Sequence, residues 1–173
     1  MKSLAIDIDD VLADSMSRIL FLYNNEFGTS IKKSDLDGKT IYDILPPEHI
    51  PVIKRYQNEK GFFTEVDLIE DSKEVVNKLS EKYNIYIVSS ALEFPNSLPD
   101  RFNFIMRHFP FVSWRNIIFC GDKRMIKIDM IIDDMIENLS GLNEKGFLFT
   151  AYHNLNIYHP NRIDSWSTVS DLI

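Results

Sequence analysis

Apolar residues fall along this chain in short runs that polar residues close abruptly. Leu4-Ala5-Ile6 runs into Asp7, Ile8, Asp9 and Asp10; Ile85-Tyr86-Ile87-Val88 ends in Ser89-Ser90; Met130-Ile131-Ile132 ends in Asp133-Asp134. Apolar stretches this short, bounded by polar residues, predict buried strands, here over 3–8, 84–90, 116–119, 129–133 and 146–150. Between them the period changes. Ile19, Leu20, Tyr23 and Phe27 recur at helical spacing and predict a helix over 15–27, stopped by Gly28. Val75, Val76 and Leu79 predict a second helix over 71–82, capped by Asp71 or Ser72. Phe102, Ile105, Met106 and Phe109 predict a third over 100–109, with those four side chains inward, and the tail over 168–173 is expected to hold a last helical turn.

One stretch breaks the alternation. From Thr29 to Glu65, polar turns over 32–39 and the Pro46-Pro47 break separate short helical pieces, one of them within 48–60. This reads as an insertion. The expected organisation is a core domain made of residues 1–14 and 67–173, interrupted by a helical cap over 15–66. Strands alternating with helices imply right-handed crossovers and a parallel sheet. The expected fold class is therefore α/β: a Rossmann-like three-layer sandwich with a central parallel sheet, and a small helical cap inserted after the first strand.

In such sheets, ligands bind beyond the carboxyl ends of the strands. The polar residues that close the apolar runs are then the candidates: Asp7 and Asp9 after the first strand, Ser89 and Ser90 after the second, Asp133 and Asp134 after the Met-Ile-Ile run, and Lys123 in the loop after Ile-Ile-Phe-Cys-Gly-Asp. Two carboxylate pairs at adjacent strand ends repel each other and need a cation. A set of oxygens of this kind suits a hard divalent ion, and Mg²⁺ prefers few carboxylates together with water and a substrate phosphate. Lys123 can neutralise phosphate oxygens and the serines can hydrogen-bond them. On an extended segment residues i and i+2 point the same way. One of Asp7 and Asp9 can then attack phosphorus while the other moves a proton to the leaving oxygen.

Charge and composition narrow the partners. The net charge of -7, from 26 acidic against 19 basic residues, argues against a surface that coats a nucleic acid polymer. Cys120 is the single cysteine, so no internal disulfide can form, which suits a reducing cytoplasm. Cys120 reads as a small residue at a strand end rather than a nucleophile. Lys2 precedes only a short apolar stretch that Asp7 interrupts, unlike a secretory signal, and no apolar run approaches the ~20 residues of a membrane span. A cytoplasmic location without membrane association is expected, and a homodimer is compatible with this composition.

The order Asp-x-Asp-x-Val, apolar-Ser-Ser, Lys, apolar-Asp-Asp resembles the haloacid-dehalogenase superfamily of aspartate-nucleophile phosphatases, and more narrowly the 5'(3')-deoxyribonucleotidases. The matching stretches are DIDDVLAD (7–14), GFF (61–63), IYIVSSA (85–91), GDK (121–123), MIIDD (130–134), LFTAYHN (148–154) and RIDSW (162–166). The last two point to the narrower family. The resemblance implies an Mg²⁺-dependent phosphomonoesterase acting on nucleoside monophosphates through an aspartyl-phosphate. Asp7 would be the nucleophile and Asp9 the general acid and base. Ser89, Ser90 and Lys123 would hold the phosphoryl group, and Asp7, the Asp9 carbonyl and Asp134 would hold the metal, with Asp133 alongside. Phe62 and Phe63 would be the cap aromatics nearest the base. The chain departs from the family twice, with Asp10 where glycine is expected and Ser15 where an aromatic helps form the base pocket. Alternatives are a phosphatase of the same superfamily acting on a sugar phosphate, and a receiver-like or phosphate-binding regulatory module. Receiver domains place their acidic pair after the first strand, whereas here it follows the lysine.

Overall fold

A computed structural model describes residues 1–141 and 143–171. Its centre is a six-stranded sheet built from β1 (Ser3–Ile6), β2 (Asn84–Ser89), β3 (Ile117–Phe119), β4 (Met130–Asp133), β5 (Lys145–Phe149) and β6 (Arg162–Ile163). The order is β3-β2-β1-β4-β5-β6, and every pairing is parallel. The α/β reading holds. β1 lies between β2 and β4, with Leu4 opposite Ile85 on one side and Met130 on the other. Successive strands thus run outward from β1 in both directions, and the crevice at its carboxyl end is the topological switch point of the sheet.

Side chains alternate across the sheet with period two. Leu4, Ile6, Ile87, Ile132, Phe147 and Phe149 join one large apolar cluster, whereas Ala5, Val88, Ile131 and Leu148 join a smaller one. The large cluster takes in the inward residues of α1 (Ser15–Phe27), α3 (Ile50–Asn58), α4 (Ser72–Ser80) and α5 (Leu98–His108). The smaller face is covered by Ile126, Ile128, Ile136 and Leu139, from 3₁₀ turns and loops. Between α1 and α4 the chain forms only a short α2 (Ile41–Ile44), α3 and single 3₁₀ turns. Gly28 ends α1 in the left-handed conformation, φ 64°, which a residue without Cβ adopts freely.

The observed elements differ from the expected ones in several places. β1 stops at Ile6 because only Asp7 N–H still reaches across, to Ile132 O at 3.0 Å, before the chain turns away. α5 starts earlier, since Pro99 sits in the first turn, where its missing N–H has no helical partner. Its buried face is Arg101, Phe104 and Ile105, while Phe102 is exposed. An apolar pattern could not disclose that a charged residue leads the inward face. β6 carries no periodic signal because it has only two residues. The last turn is observed as a 3₁₀ helix over Trp166–Asp171, and the remainder of that expectation, residues 172–173, lies outside the described residues.

Candidate active site

The loop that leaves β1 folds onto itself. Leu12 N–H and Ala13 N–H both donate to Ile8 O, at 3.0 and 2.8 Å, and Asp10 N–H donates to Ala13 O at 2.8 Å. This tight turn needs one residue with positive φ, and Asp10 takes it at 55°. Short polar side chains tolerate that region better than most, so aspartate stands where the resemblance expects glycine at modest cost. Its carboxylate has a second use. Asp10 Oδ1 accepts from Met16 N–H at 2.9 Å, and Asp14 Oδ1 accepts from Ser17 N–H at 3.1 Å. Both satisfy amides that the first turn of α1 leaves without helical partners. Two of the four opening carboxylates are therefore helix-capping groups.

The other two face the sheet's carboxyl edge. Asp7 is 6% exposed, and Asp133 and Asp134, at the end of β4, are 0% and 5% exposed. One carboxylate oxygen of each lies within 4.8 Å of the others. Lys123 enters on the 3₁₀ turn Lys123–Met125 and is itself buried. Its Nζ stands 2.6 Å from Asp7 Oδ1 and donates to Asp133 Oδ2 at 2.7 Å. Burial pulls the lysine toward neutrality, but Asp7 and Asp133 outweigh it and hold its proton well above the ordinary range. Asp7 is pushed up to about 7 by burial, against the attraction of Lys123 and with the repulsion of Asp133 and Asp9. Asp134 is raised well above its usual value by burial and by Asp133 and Asp7.

These shifts have one meaning: a single ammonium does not neutralise three buried carboxylates. Asp7 Oδ1 is also buried without a donor in hydrogen-bond geometry. A divalent cation supplies the missing charge and takes oxygen ligands of this kind, so the residues present fit such an ion. Asp133 is already committed. Lys123 holds its Oδ2, while Met135 N–H and Asn138 Nδ2 donate to its Oδ1 at 3.0 and 2.9 Å.

Ser89 is buried at the end of β2 and Ser90 follows it; both line a cavity of about 350 Å³ with Asp7, Asp9, Lys123 and Asp134. Tyr42, Gln57 and Phe94 border the same cavity. The sequence-derived candidates other than the two phenylalanines therefore share one site. Phe62 and Phe63 are 3% and 1% exposed and stand in the apolar core, away from the cavity lining. Phe63 packs edge-on against Phe104 and lies under the Arg101 guanidinium, 4.2 Å from ring centroid to Cζ.

Arg101 is the residue that sequence reasoning missed. It is 1% exposed; its Nη1 donates to Asp9 Oδ2, and its Nε donates to Ser97 Oγ at 3.1 Å. A buried arginine on an amphipathic helix looks like a surface residue until its acidic partner is seen 92 residues away. The tail motifs also acquire a physical role. Asn154 Nδ2 donates to Asp134 O at 2.8 Å and to Phe149 O at 2.8 Å, and Arg162 Nη1 donates to Asn154 Oδ1 at 3.0 Å. His153 Nε2 lies 3.2 Å from Asp134 O, and burial lowers its pKa. Trp166, 1% exposed, donates from Nε1 to Val11 O at 2.7 Å. LFTAYHN thus braces the acidic pair after β4, and the Ser-Trp dipeptide braces the loop after β1. Trp166→Phe should strand the Val11 carbonyl in the core and cost about 1–3 kcal/mol, read as a lower melting temperature.

The parallel sheet, with its acidic residues and lysine at the carboxyl edge, defines a haloacid-dehalogenase-like hydrolase. A haloacid dehalogenase-like hydrolase from Streptococcus pneumoniae superposes with a TM-score of 0.66 over 99% of this chain and 97% of its own, at 16% identity. The family model "5' nucleotidase, deoxy (Pyrimidine), cytosolic type C protein" matches residues 1–173, and the chain belongs to this 5'(3')-deoxyribonucleotidase family of phosphoric monoester hydrolases. A Bacillus subtilis 5'(3')-deoxyribonucleotidase is 32% identical over 177 residues, covering 97% of this chain and 96% of the relative. A Staphylococcus aureus protein provisionally named for the same activity is 36% identical over 168 residues, covering 97% and 93%. Among the described residues, no helix is long and apolar enough to cross a membrane.

Proposed function

We propose that the protein hydrolyses the phosphate of (deoxy)ribonucleoside monophosphates in an Mg²⁺-dependent reaction through an aspartyl-phosphate on Asp7. The observation that carries this reading is the buried Asp7–Lys123–Asp133–Asp134 cluster, of which Asp7, Lys123 and Asp134 line the cavity, with Asp9 two residues from the nucleophile. Asp7, the Asp9 carbonyl and Asp134 would hold the metal, since the Asp133 oxygens are already engaged. When bound, Mg²⁺ supplies positive charge to the phosphoryl oxygens and to the crowded carboxylates.

The chain's own groups do the rest. An Asp7 oxygen attacks phosphorus; a bond from phosphorus to Asp7 forms as the bond to the nucleoside oxygen breaks. Asp9 gives that oxygen a proton and becomes a carboxylate, and the nucleoside departs as the neutral alcohol. It then takes a proton from the water that attacks the phosphoenzyme, releasing inorganic phosphate and free Asp7. Lys123 and the Ser89 hydroxyl stabilise charge on the transferring group. The segment over 15–66 acts as the cap, closing the cavity with Tyr42 and Gln57 on its wall.

A panel of phosphate esters assayed with Mg²⁺ tests the reading. Deoxynucleoside monophosphates should give the highest kcat/KM, and chelation of the metal should abolish turnover. Sugar phosphates far outpacing nucleotides would overturn the substrate class while leaving the phosphatase chemistry intact.

A further inference from the structure

Asp9 is gripped at both oxygens. Arg101 holds Oδ2 from α5, and the Ser15 hydroxyl donates to Oδ1 at 2.7 Å from the first residue of α1. Ser15 is 2% exposed, so its hydroxyl has little surface to offer a ligand. Its place is fixed by backbone: Ser15 N–H donates to Ala13 O at 2.8 Å, and the neighbouring Asp14 N–H donates to Asp67 O at 2.8 Å. The loop that aims Asp9 and the helix that carries Ser15 are therefore one hydrogen-bonded unit.

We infer that Ser15 is a positioning residue for Asp9, its hydroxyl fixing the proton-donating carboxyl. The inference rests on the acid role of Asp9 proposed above. With only Arg101 attached, the Asp9 carboxyl can pivot about its single Oδ2 contact. The Ser15 bond on the opposite oxygen removes that freedom and leaves the carboxyl facing the cavity that both residues line. Proton transfer requires hydrogen-bond reach to the leaving oxygen, so a loosened carboxyl slows the step in proportion to the time it spends misaligned.

Leaving-group dependence separates this role from a structural one. A nucleoside alkoxide needs a proton as it departs; a nitrophenolate does not. The experiment compares kcat and KM for wild type, Ser15→Ala, Ser15→Thr and Asp9→Asn on a deoxynucleoside monophosphate and on p-nitrophenyl phosphate, with melting curves for each variant. Ser15→Ala should lose about tenfold or more in kcat/KM on the nucleotide through kcat, with KM nearly unchanged and much less loss on the aryl ester. Ser15→Thr, which keeps the hydroxyl, should recover most of it. Equal losses on both substrates in kcat/KM (which excludes the later water attack they share), a loss carried by KM alone, or no loss would overturn the role of Ser15. If Asp9→Asn itself lacks the leaving-group signature, the acid role of Asp9 falls and this inference falls with it.

Discussion

Asp7→Asn should abolish Mg²⁺-dependent phosphate release and leave the protein folded. Asparagine fills nearly the same volume but cannot form the acyl-phosphate. The loss should be to background: Asp133 is held by three donors, Asp9 is tied to Ser15 and Arg101, and Asp134 is the proposed metal ligand. The substitution should also reverse a stability trend. Asp7 has its proton affinity raised from the ordinary 3.8 to about 7 by burial, despite Lys123. A folded state that binds a proton more tightly than the unfolded chain is favoured at low pH, and that advantage drains away as pH rises from about 4 to about 7. Without metal, wild type should therefore lose melting temperature relative to Asp7→Asn across this window. Adding Mg²⁺ at pH 7 should restore it to wild type and much less to the variant. Retained turnover in Asp7→Asn would falsify the nucleophile assignment, and parallel melting profiles would remove the charge argument.

Lys123→Met should damage both stability and catalysis. Methionine matches the lysine stem in length, so packing is largely kept while the ammonium is lost. What remains is three buried carboxylates without the cation that sits 2.6 Å from Asp7 and 2.7 Å from Asp133. Breaking a buried pair by removing one partner costs about 3–5 kcal/mol. The cost should shrink at pH 5, where the carboxylates of the variant can take up protons, and it should shrink when a divalent ion is added. Loss of charge stabilisation at the transferring phosphoryl group should lower kcat by about 10²–10³. Melting curves with and without Mg²⁺ at pH 5 and 8, together with kcat, check all of this. A variant as stable as wild type without metal at pH 8 would show that the carboxylates need no cation in the folded protein.

The parts of the site that the sequence discloses are those where chemistry interrupts an apolar pattern. Asp7, Ser89 and Asp133 stand out because each follows directly on a run of mostly buried, apolar strand residues. Lys123 is readable only with the parallel sheet in mind, since nothing local marks it. The hidden parts are of a different kind. Arg101 and Ser15 act through single long-range or loop contacts to Asp9, and a polar residue inside a helix gives no sign of a distant partner. Phe62 and Phe63 illustrate the converse: aromatic residues near a family motif read as ligand contacts, yet here the apolar core takes both. β6 shows the limit set by length, because two residues carry no period.

The bond from Trp166 to Val11 spans 155 residues, and it orders events during synthesis. The loop that follows Asp7 is synthesised long before the tryptophan that braces it. β1 meanwhile waits for β4 to pair along its second edge. A nascent chain thus carries Asp7 and Asp9 long before it can brace the loop around them. A chain terminated before Trp166 lacks this brace, so it should be inert rather than an unregulated hydrolase.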